Sequence, residues 1–241
     1  DEAVADEAGE HEDEVADEVE AVLEPDQDLL DRRDAATDEV ERQLARRLKR
    51  GLSDEQNESL DLLRRAKGKG TAAEVLPDLE AHHARYRDAA LEDLRTAERA
   101  GASFFGPAPE RTADVADVAA EFADELVRQI RGRLERAFSE GQADEQEVGE
   151  RIRACYRERK TQRIADTARH FVVAAFSRGV TEAAPDGTSF RWLVDDGGAP
   201  CPDCDDNALA GGVGKGEPFP TGDLCPPAHP GCRCVTVPVD T

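Results

Sequence analysis

Five cysteines and one histidine lie within 34 consecutive positions near the C-terminal end of this chain. The segment begins with Cys201-Pro-Asp-Cys204 and ends with Cys225-Pro-Pro-Ala-His229-Pro-Gly-Cys232-Arg-Cys234. Thiolates and an imidazole in two close-spaced groups are the donors of a tetrahedral zinc site. The intervening residues 205–224 are rich in Gly and Pro, so we expect them to bury little apolar surface. A structural zinc ion is therefore the expected staple for this tail.

The candidate metal ligands are Cys201, Cys204, His229, Cys232 and Cys234. Cys201 and Cys204 form the first pair, and His229 and Cys232 repeat its i, i+3 spacing. Cys234 competes with Cys232 for the last position, because either side chain can turn inward. Cys225 precedes two prolines and is expected to be a spare thiol.

Two other states of the cysteines stay open at this stage: disulfide pairing, which suits an oxidising compartment, and unliganded thiols. A catalytic zinc is less favoured than a structural one, because catalytic sites keep an open position among His and carboxylate ligands. No nucleophile–base pair or carboxylate dyad stands out, so we name no catalytic residue.

The residues around the cysteines resemble a known pattern. They are Arg163-Ile-Ala-Asp-Thr167, Phe190-Arg-Trp192-Leu-Val-Asp195, Cys201-x-x-Cys204 and Pro226-Pro-Ala-His229-Pro-Gly-Cys232-Arg-Cys234. Over residues 151–238 the chain resembles the phage Mu F-like minor head proteins, also called head morphogenesis proteins of tailed phages. The long terminal motif is the most specific part of this resemblance.

The resemblance implies a structural virion protein, a minor capsid protein incorporated in few copies during head assembly. Its implied partners are the portal or other capsid proteins, with its own copies as a further option. It would be made in the host cytoplasm and end in the virion near the portal vertex, where it supports genome packaging or delivery. Two alternatives stay open: a zinc-dependent nuclease or hydrolase using His229 with Asp195 or Asp196, and a zinc-ribbon DNA-binding module.

The chain is strongly acidic, with a net charge of -23 from 54 Asp and Glu against 31 Lys and Arg. At molar salt the screening length is about 3 Å, which removes most of the repulsion among such carboxylates. Together with the scarcity of lysine and aromatic residues, this favours a halophilic host, and hence a virus or provirus of haloarchaea. No run of about 20 apolar residues is present, so we expect no membrane span.

Residues 1–30 contain 14 acidic and no Lys or Arg side chains. We expect them to form an acidic N-terminal arm, extended or packed, because they offer too little apolar surface for a domain. The sequence contains no methionine, so Asp1 is not expected to be the encoded start.

Residues 31–185 are expected to form a helical body. One apolar stripe ends at Pro25, and a second runs from Leu29 to Leu48 with Gly51 as its stop. Capping-box spacing predicts helix starts at Ser53, Thr71 and Asp144, and Pro77 is expected in the first turns of a helix or at a kink. The longest stripe recurs every three or four residues from Val115 to Phe138, within a predicted helix over 112–139. Two further helices are predicted over 145–158 and 161–183.

Strand patterns occur only in the last part of the chain, residues 186–241. Residues 189–194 and 234–239 are short β-type runs on either side of the cysteines, and we expect them to pair and seat the metal site. The fold class is therefore mainly α: an elongated helical bundle or hairpins, with a small C-terminal β-containing, Cys/His zinc-stapled module.

Residues 151–180 contain eight basic and two acidic side chains. Basic helices contact nucleic-acid phosphates, which makes packaged DNA a possible partner of this segment. The alternative, which we favour, is pairing with acidic helices of the same chain. Because the apolar stripes are narrow, we also expect other subunits to complete the apolar faces of the helices.

Overall fold

In the computed structural model of this chain, residues 10–67, 71–107, 109–110, 112–139, 145–195, 197 and 201–239 are described, with side chains from residue 26 onward. The helices are α1 (Glu10–Arg65), α2 (Ala72–Val75), α3 (Leu79–Ala102), α4 (Ala116–Ser139), α5 (Glu145–Glu158), a π-helical turn (Arg159–Arg163), α6 (Ile164–Ala183) and α7 (Pro202–Leu209). The strands are β1 (Ser189–Leu193), β2 (Val213–Gly214) and β3 (Val235–Val239). The predicted mainly α fold with a small C-terminal β-containing module is confirmed.

Helix α1 is one unbroken helix, so the predicted stops at Pro25 and Gly51 are wrong. Leu48 and Leu52, on either side of the glycine, are fully buried. The packing of these two leucines outweighs the cost of glycine inside a helix, about 1 kcal/mol relative to alanine. The predicted cap at Ser53 is also wrong, because its hydroxyl donates to the carbonyl oxygen of Lys49 within the helix.

The capping box at Thr71 is confirmed, and it begins α2. The carboxylate of Glu74 accepts hydrogen bonds from the backbone N–H of Thr71 at 2.7 Å and from its hydroxyl at 3.0 Å. Pro77 lies in the short connection between α2 and α3. The expectation that it lies in the first turns of a helix or at a kink is therefore wrong. The predicted cap at Asp144 lies outside the described residues.

Helices α3 and α6 cross at close range. Gly101 of α3 lies against the carbonyl oxygen of Phe176, and Gly179 of α6 lies against that of Glu98. A Cβ atom at either glycine would overlap the facing backbone. The absence of a side chain at both positions therefore sets the separation of these helices.

Helix α4 covers this pair with the predicted apolar stripe. Val115 is buried just before the helix, and the stripe positions from Val118 to Leu134 are buried along it. Only Phe138 is half-buried. The stripe is buried between helices of the same chain. The expectation that other subunits cover further apolar faces stays a prediction.

Helices α5 and α6 follow one another through the π-helical turn Arg159–Arg163. The predicted helix over 145–158 is confirmed, but the predicted break before residue 161 is a change of helix type. A π-turn widens the helix by one residue and changes the direction of side chains on either side of it.

A carboxylate is buried where α1, α3 and α5 meet. Glu55 accepts hydrogen bonds from the hydroxyls of Tyr156 at 2.6 Å and Tyr86 at 3.0 Å, and His82 Nε2 lies 3.0 Å from it. Burial raises the pKa of Glu55, but His82 and the two tyrosines outweigh burial and lower it overall. Glu55 therefore connects three helices as an ionised group. His82 is fully buried in the core.

The C-terminal module contains a three-stranded antiparallel sheet in the order β2-β1-β3. β1 and β3 pair from Ser189 opposite Val239 to Leu193 opposite Val235, so the predicted pairing is confirmed. The short strand β2 and helix α7 were not predicted, because they lie in the Gly- and Pro-rich segment.

Within the described part of the chain, no helix combines the length and apolar character needed to cross a bilayer. Helix α1 also passes residue 30 without a break. The division into 1–30, 31–185 and 186–241 stays a prediction.

Replacing Gly179 with Ala should lower the free energy of unfolding by about 3 kcal/mol, because the added methyl group forces α3 and α6 apart. Urea unfolding followed by circular dichroism measures this change. Gly132→Ala is the matched control, since a Cβ atom there meets nothing within 4 Å. The control should be neutral or stabilising by up to about 1 kcal/mol. Equal effects of the two substitutions would contradict the close crossing.

The Glu55 cluster should contribute to stability in a pH-dependent way. The pKa of Glu55 is lowered in the fold, so its contribution is present above the usual carboxyl range and is lost as pH falls through the lowered pKa. The stability difference between wild type and Glu55→Gln should therefore shrink between about pH 6 and about pH 3. Glu58→Gln, an exposed position on the same helix, should show little such change. A pH-independent difference for Glu55→Gln would refute the ionised state.

Candidate metal centre

The five predicted ligands meet beyond the end of the β1–β3 pair. Cys201 and Cys204 lie at the start of α7, and Cys234 immediately precedes β3. The donor atoms of Cys201, Cys204 and His229 lie within 4.8 Å of one another, as do those of Cys204, Cys232 and Cys234. Cys204 belongs to both groups, so it is the centre of the cluster. These groups can hold a metal ion.

One sulfur–sulfur distance in the cluster matches tetrahedral coordination. Cys204 Sγ lies 3.8 Å from Cys232 Sγ, and His229 Nε2 lies 3.0 Å from Cys201 Sγ and 3.3 Å from Cys204 Sγ. Metal–sulfur bonds of about 2.3 Å in a tetrahedron place two sulfurs about 3.8 Å apart. All six cysteines are free thiols in the structure, so none of them forms the disulfide that the alternative requires.

The imidazole of His229 is oriented for coordination through Nε2. Its Nδ1 lies 3.0 Å from the carbonyl oxygen of Pro230. A carbonyl can only accept, so Nδ1 carries the proton and the Nε2 lone pair is directed at the sulfurs. A backbone partner of this kind fixes the tautomer of metal-binding histidines.

The thiols of the cluster have unequal proton affinities. A hydrogen bond from Cys234 lowers the pKa of Cys232 to about 5. Burial and the neighbouring Cys232 raise the pKa of Cys204 to about 12. The Cys232 thiolate likewise raises the pKa of Cys234. A bound cation would replace the shared protons and stabilise several thiolates at once.

Cys225 is not part of the cluster. Its thiol lies near Thr181 and Arg178 of α6, and burial raises its pKa to about 11. The prediction that Cys225 is the spare thiol agrees with this placement. Whether Cys232 or Cys234 completes the ligand set stays open in the geometry, because both lie within reach of Cys204.

A small apolar and polar core supports the cluster. Trp192 of β1 packs edge-to-face against Phe219 with ring centroids 5.0 Å apart, and both are buried. Fully buried Asn207 of α7 donates to the hydroxyl of Thr221 at 2.9 Å and accepts from its backbone N–H at 3.1 Å. Trp192 also lies close to Cys234, beside the cluster.

Arg233, between two of the candidate ligands, connects the cluster to α1. Its guanidinium donates to Asp34 and lies 3.6 Å from Glu41 and 3.7 Å from Asp195. Arg33, whose side chain is 1% exposed, lies beneath and contacts Asp34 at 2.5 Å and Asp195 at 2.6 Å. We call Arg33, Asp34, Asp195 and Arg233 the arginine clamp.

The sequence alone does not predict the clamp. The only local signal was an arginine placed between two cysteines. Its partners on α1 are about 200 positions away, and nothing in the helical pattern separates them from other charged residues. The clamp also engages Asp195, one of the two carboxylates named for the nuclease alternative. Asp196 lies outside the described residues.

The basic segment 151–180 is largely paired. Four of its arginines form ion pairs with acidic residues: Arg151 with Glu147, Arg153 with Glu150, Arg169 with Glu41, and Arg178 with Asp117. Lys160 donates to Ser53 and Gln56 at 3.1 Å. Among the residues that the structure describes, Arg157, Arg159 and Arg163 have no carboxylate within ion-pair distance. The favoured interpretation, pairing within the chain, therefore accounts for most of the segment.

Comparison with known proteins found no matching family model, no similar curated protein and no similar solved structure.

The purified wild-type chain should carry one metal ion, which elemental analysis by mass spectrometry would count. Cys204→Ser should carry none, because Cys204 is the donor shared by both groups. Cys225→Ser is the matched control, since it removes a half-buried thiol that lies outside the cluster, and it should retain the ion. Loss of metal in both variants, or in neither, would contradict the site.

Proposed function

We propose that this chain is a structural virion protein, a minor capsid protein that acts in head morphogenesis at or near the portal of a tailed virus. One observation carries the proposal: the motif from Pro226 to Cys234, on which the resemblance rests, forms a single unit around the candidate metal donors. The same unit is held against α1 by the arginine clamp. Such a rigid, stapled surface suits docking to a partner.

We further propose that the metal is one structural zinc ion held by Cys201, Cys204, His229 and Cys232. Three thiolates and one imidazole form a set common in closed structural zinc sites. The distance of 3.8 Å between the sulfurs of Cys204 and Cys232 supports Cys232 as the fourth ligand. Cys234 then lies beside the ion as a hydrogen-bonding neighbour of Cys232.

The burial of the donors supports a structural role for this ion. Cys204 and Cys232 are 2% and 3% exposed, and four protein ligands leave no position for a water or substrate. The nuclease alternative also needs a carboxylate, and Asp195 is bound by Arg33 at 2.6 Å. These points favour the structural proposal over the hydrolase.

The proposed partners are the portal or other capsid proteins. Contact between residues 151–180 and packaged DNA is the weaker part of the proposal, because five of the eight basic side chains have an internal partner among the described residues. The zinc-ribbon alternative loses support for the same reason, and because the chain carries a net charge of -23. The proposed location of the protein is the virion, close to the portal vertex.

Virus particles purified through a density gradient should contain this chain at few copies per particle, as quantified by mass spectrometry. Particles produced with Cys204→Ser should contain much less of it, because the stapled unit is lost. Those produced with Cys225→Ser should contain the normal amount. Absence of the wild-type chain from particles, or metal-dependent cleavage of DNA by the purified protein, would overturn the structural role.

A further inference from the structure

A strip of cations runs along the exposed side of α1. Residues 42–50 contain five basic and no acidic side chains, in a chain whose net charge is -23. Arg47 turns toward α3, where it pairs with Asp93 at 3.1 Å. The other four are exposed and follow the spacing i, i+4, i+7 and i+8, which places them on one side of the helix: Arg42, Arg46, Lys49 and Arg50.

Lys160 of the π-turn joins this strip. Its Nζ donates to Ser53 Oγ and to Gln56 Oε1, each at 3.1 Å. Ser53 follows Lys49 by one helical turn, and its hydroxyl donates to the carbonyl oxygen of that residue. Both acceptors of Lys160 are neutral, so they hold the ammonium group in place without compensating its charge. Turns of this type often occur at functional sites.

Two arginines of α5 extend the charged surface. Arg153 lies in the seam with α1, where it lines the same small cavity as Leu60 and Arg64. Arg157 is exposed and lies between Arg153 and Lys160 at helical spacing. We call the whole surface the cationic face; its members are Arg42, Arg46, Lys49, Arg50, Arg153, Arg157 and Lys160.

Carboxylates compensate only the ends of the cationic face. Glu39 pairs with Arg42 at 2.9 Å and with Arg46 at 3.7 Å. At the other end, Glu150 pairs with Arg153 at 2.9 Å. In the part of the chain that the structure describes, no carboxylate lies within ion-pair distance of the four central cations: Lys49, Arg50, Arg157 and Lys160. The centre of the face is therefore a site for an external anion.

The side chains among these cations are polar and neutral. Ser53, Gln56 and Asn57 lie beside them on α1, whereas Asp54 is turned about 100° around the helix from Ser53. The exposed leucine of α1, Leu62, lies on the side opposite Ser53. Protein interfaces are built around apolar and aromatic anchors. Phosphate groups are instead bound by Lys and Arg together with hydroxyl and amide side chains.

We propose that the cationic face binds the phosphate backbone of duplex DNA, without reading its sequence. The strip from Arg42 to Asn57 extends about 22 Å along α1. Duplex DNA carries about 13 phosphate charges over that length. The phosphate contacts are made by the four central cations, Lys49, Arg50, Arg157 and Lys160.

The cationic face differs from the basic segment 151–180 considered above. Arg159 and Arg163 of that segment line the cavity beside α4, so they do not belong to the face. More than half of the face lies on α1, outside the segment. The inference goes beyond the proposed function and does not rest on it, because absence of the chain from virus particles would leave DNA binding by the purified protein unchanged.

Fluorescence anisotropy with a labelled DNA duplex of mixed sequence tests the contact. Binding is measured over a series of KCl concentrations at which circular dichroism shows intact helices. Four phosphate contacts predict that log Kd rises with log[KCl] with a slope of about 3.6. K49Q/R50Q should weaken binding at least about tenfold and lower this slope by about two, and R157Q should lower it by about one.

R95Q/R99Q is the matched control. It removes the same charge from the exposed side of α3, where both arginines pair with Glu92. It should bind DNA like wild type and keep the same slope. The comparison therefore separates the cationic face from the effect of net charge.

Two results would overturn the proposal. The first is no DNA binding by wild type at the lowest KCl concentration that preserves its helices. The second is equal weakening by K49Q/R50Q and R95Q/R99Q. Polyglutamate serves as a competing polyanion: tighter binding of polyglutamate than of the duplex at the same KCl concentration would also overturn the proposal and assign the face to an acidic protein.

Discussion

Arg33 is a guanidinium with almost no solvent contact, and its charge is balanced by Asp34 of its own helix and Asp195 after β1. Removing one of these carboxylates would leave the buried Arg33 charge with less compensation, which destabilises the fold. The C-terminal module must therefore stay in place for α1 to keep its charge balance. Arg233 adds a second link through Asp34. The position of the Cys/His cluster relative to the helices depends on this clamp.

The clamp changes how the metal site relates to the rest of the molecule. A tail stapled by metal alone would fold and unfold independently of the helices. Here Arg233 lies between Cys232 and Cys234, so the loop that carries the donors also carries the link to α1. Loss of the metal should therefore release Arg233 and destabilise α1 around Arg33. The module is a fixed surface on the helical body, which suits the proposed docking role.

The parts that were predictable from the sequence depend on short-range patterns. The cysteine spacing, the stripe from Val115 to Phe138 and the capping box at Thr71 each involve residues within one turn or one helix. The unpredicted parts depend on contacts between distant residues. Gly51 looked like a helix end, but burial of its neighbours keeps α1 continuous. The same limit applies to Gly101 and Gly179, whose role is visible only once α3 faces α6.

The Gly- and Pro-rich segment shows a further limit. Its composition suggested little core, yet Phe219 and Asn207 are both buried. The burial of Phe219 depends on its ring contact with Trp192. The burial of Asn207 depends on its hydrogen bond to Thr221, fourteen positions later. A few specific contacts can order such a segment when a metal site fixes its two ends.

X-ray absorption spectroscopy at the zinc edge of the purified wild-type chain tests the central claim most directly, because it reports the atoms bound to the metal. The account predicts a zinc edge with three sulfur neighbours at about 2.3 Å and one nitrogen at about 2.0–2.1 Å. Absence of a zinc edge, or a first shell made only of oxygen and nitrogen, would contradict it.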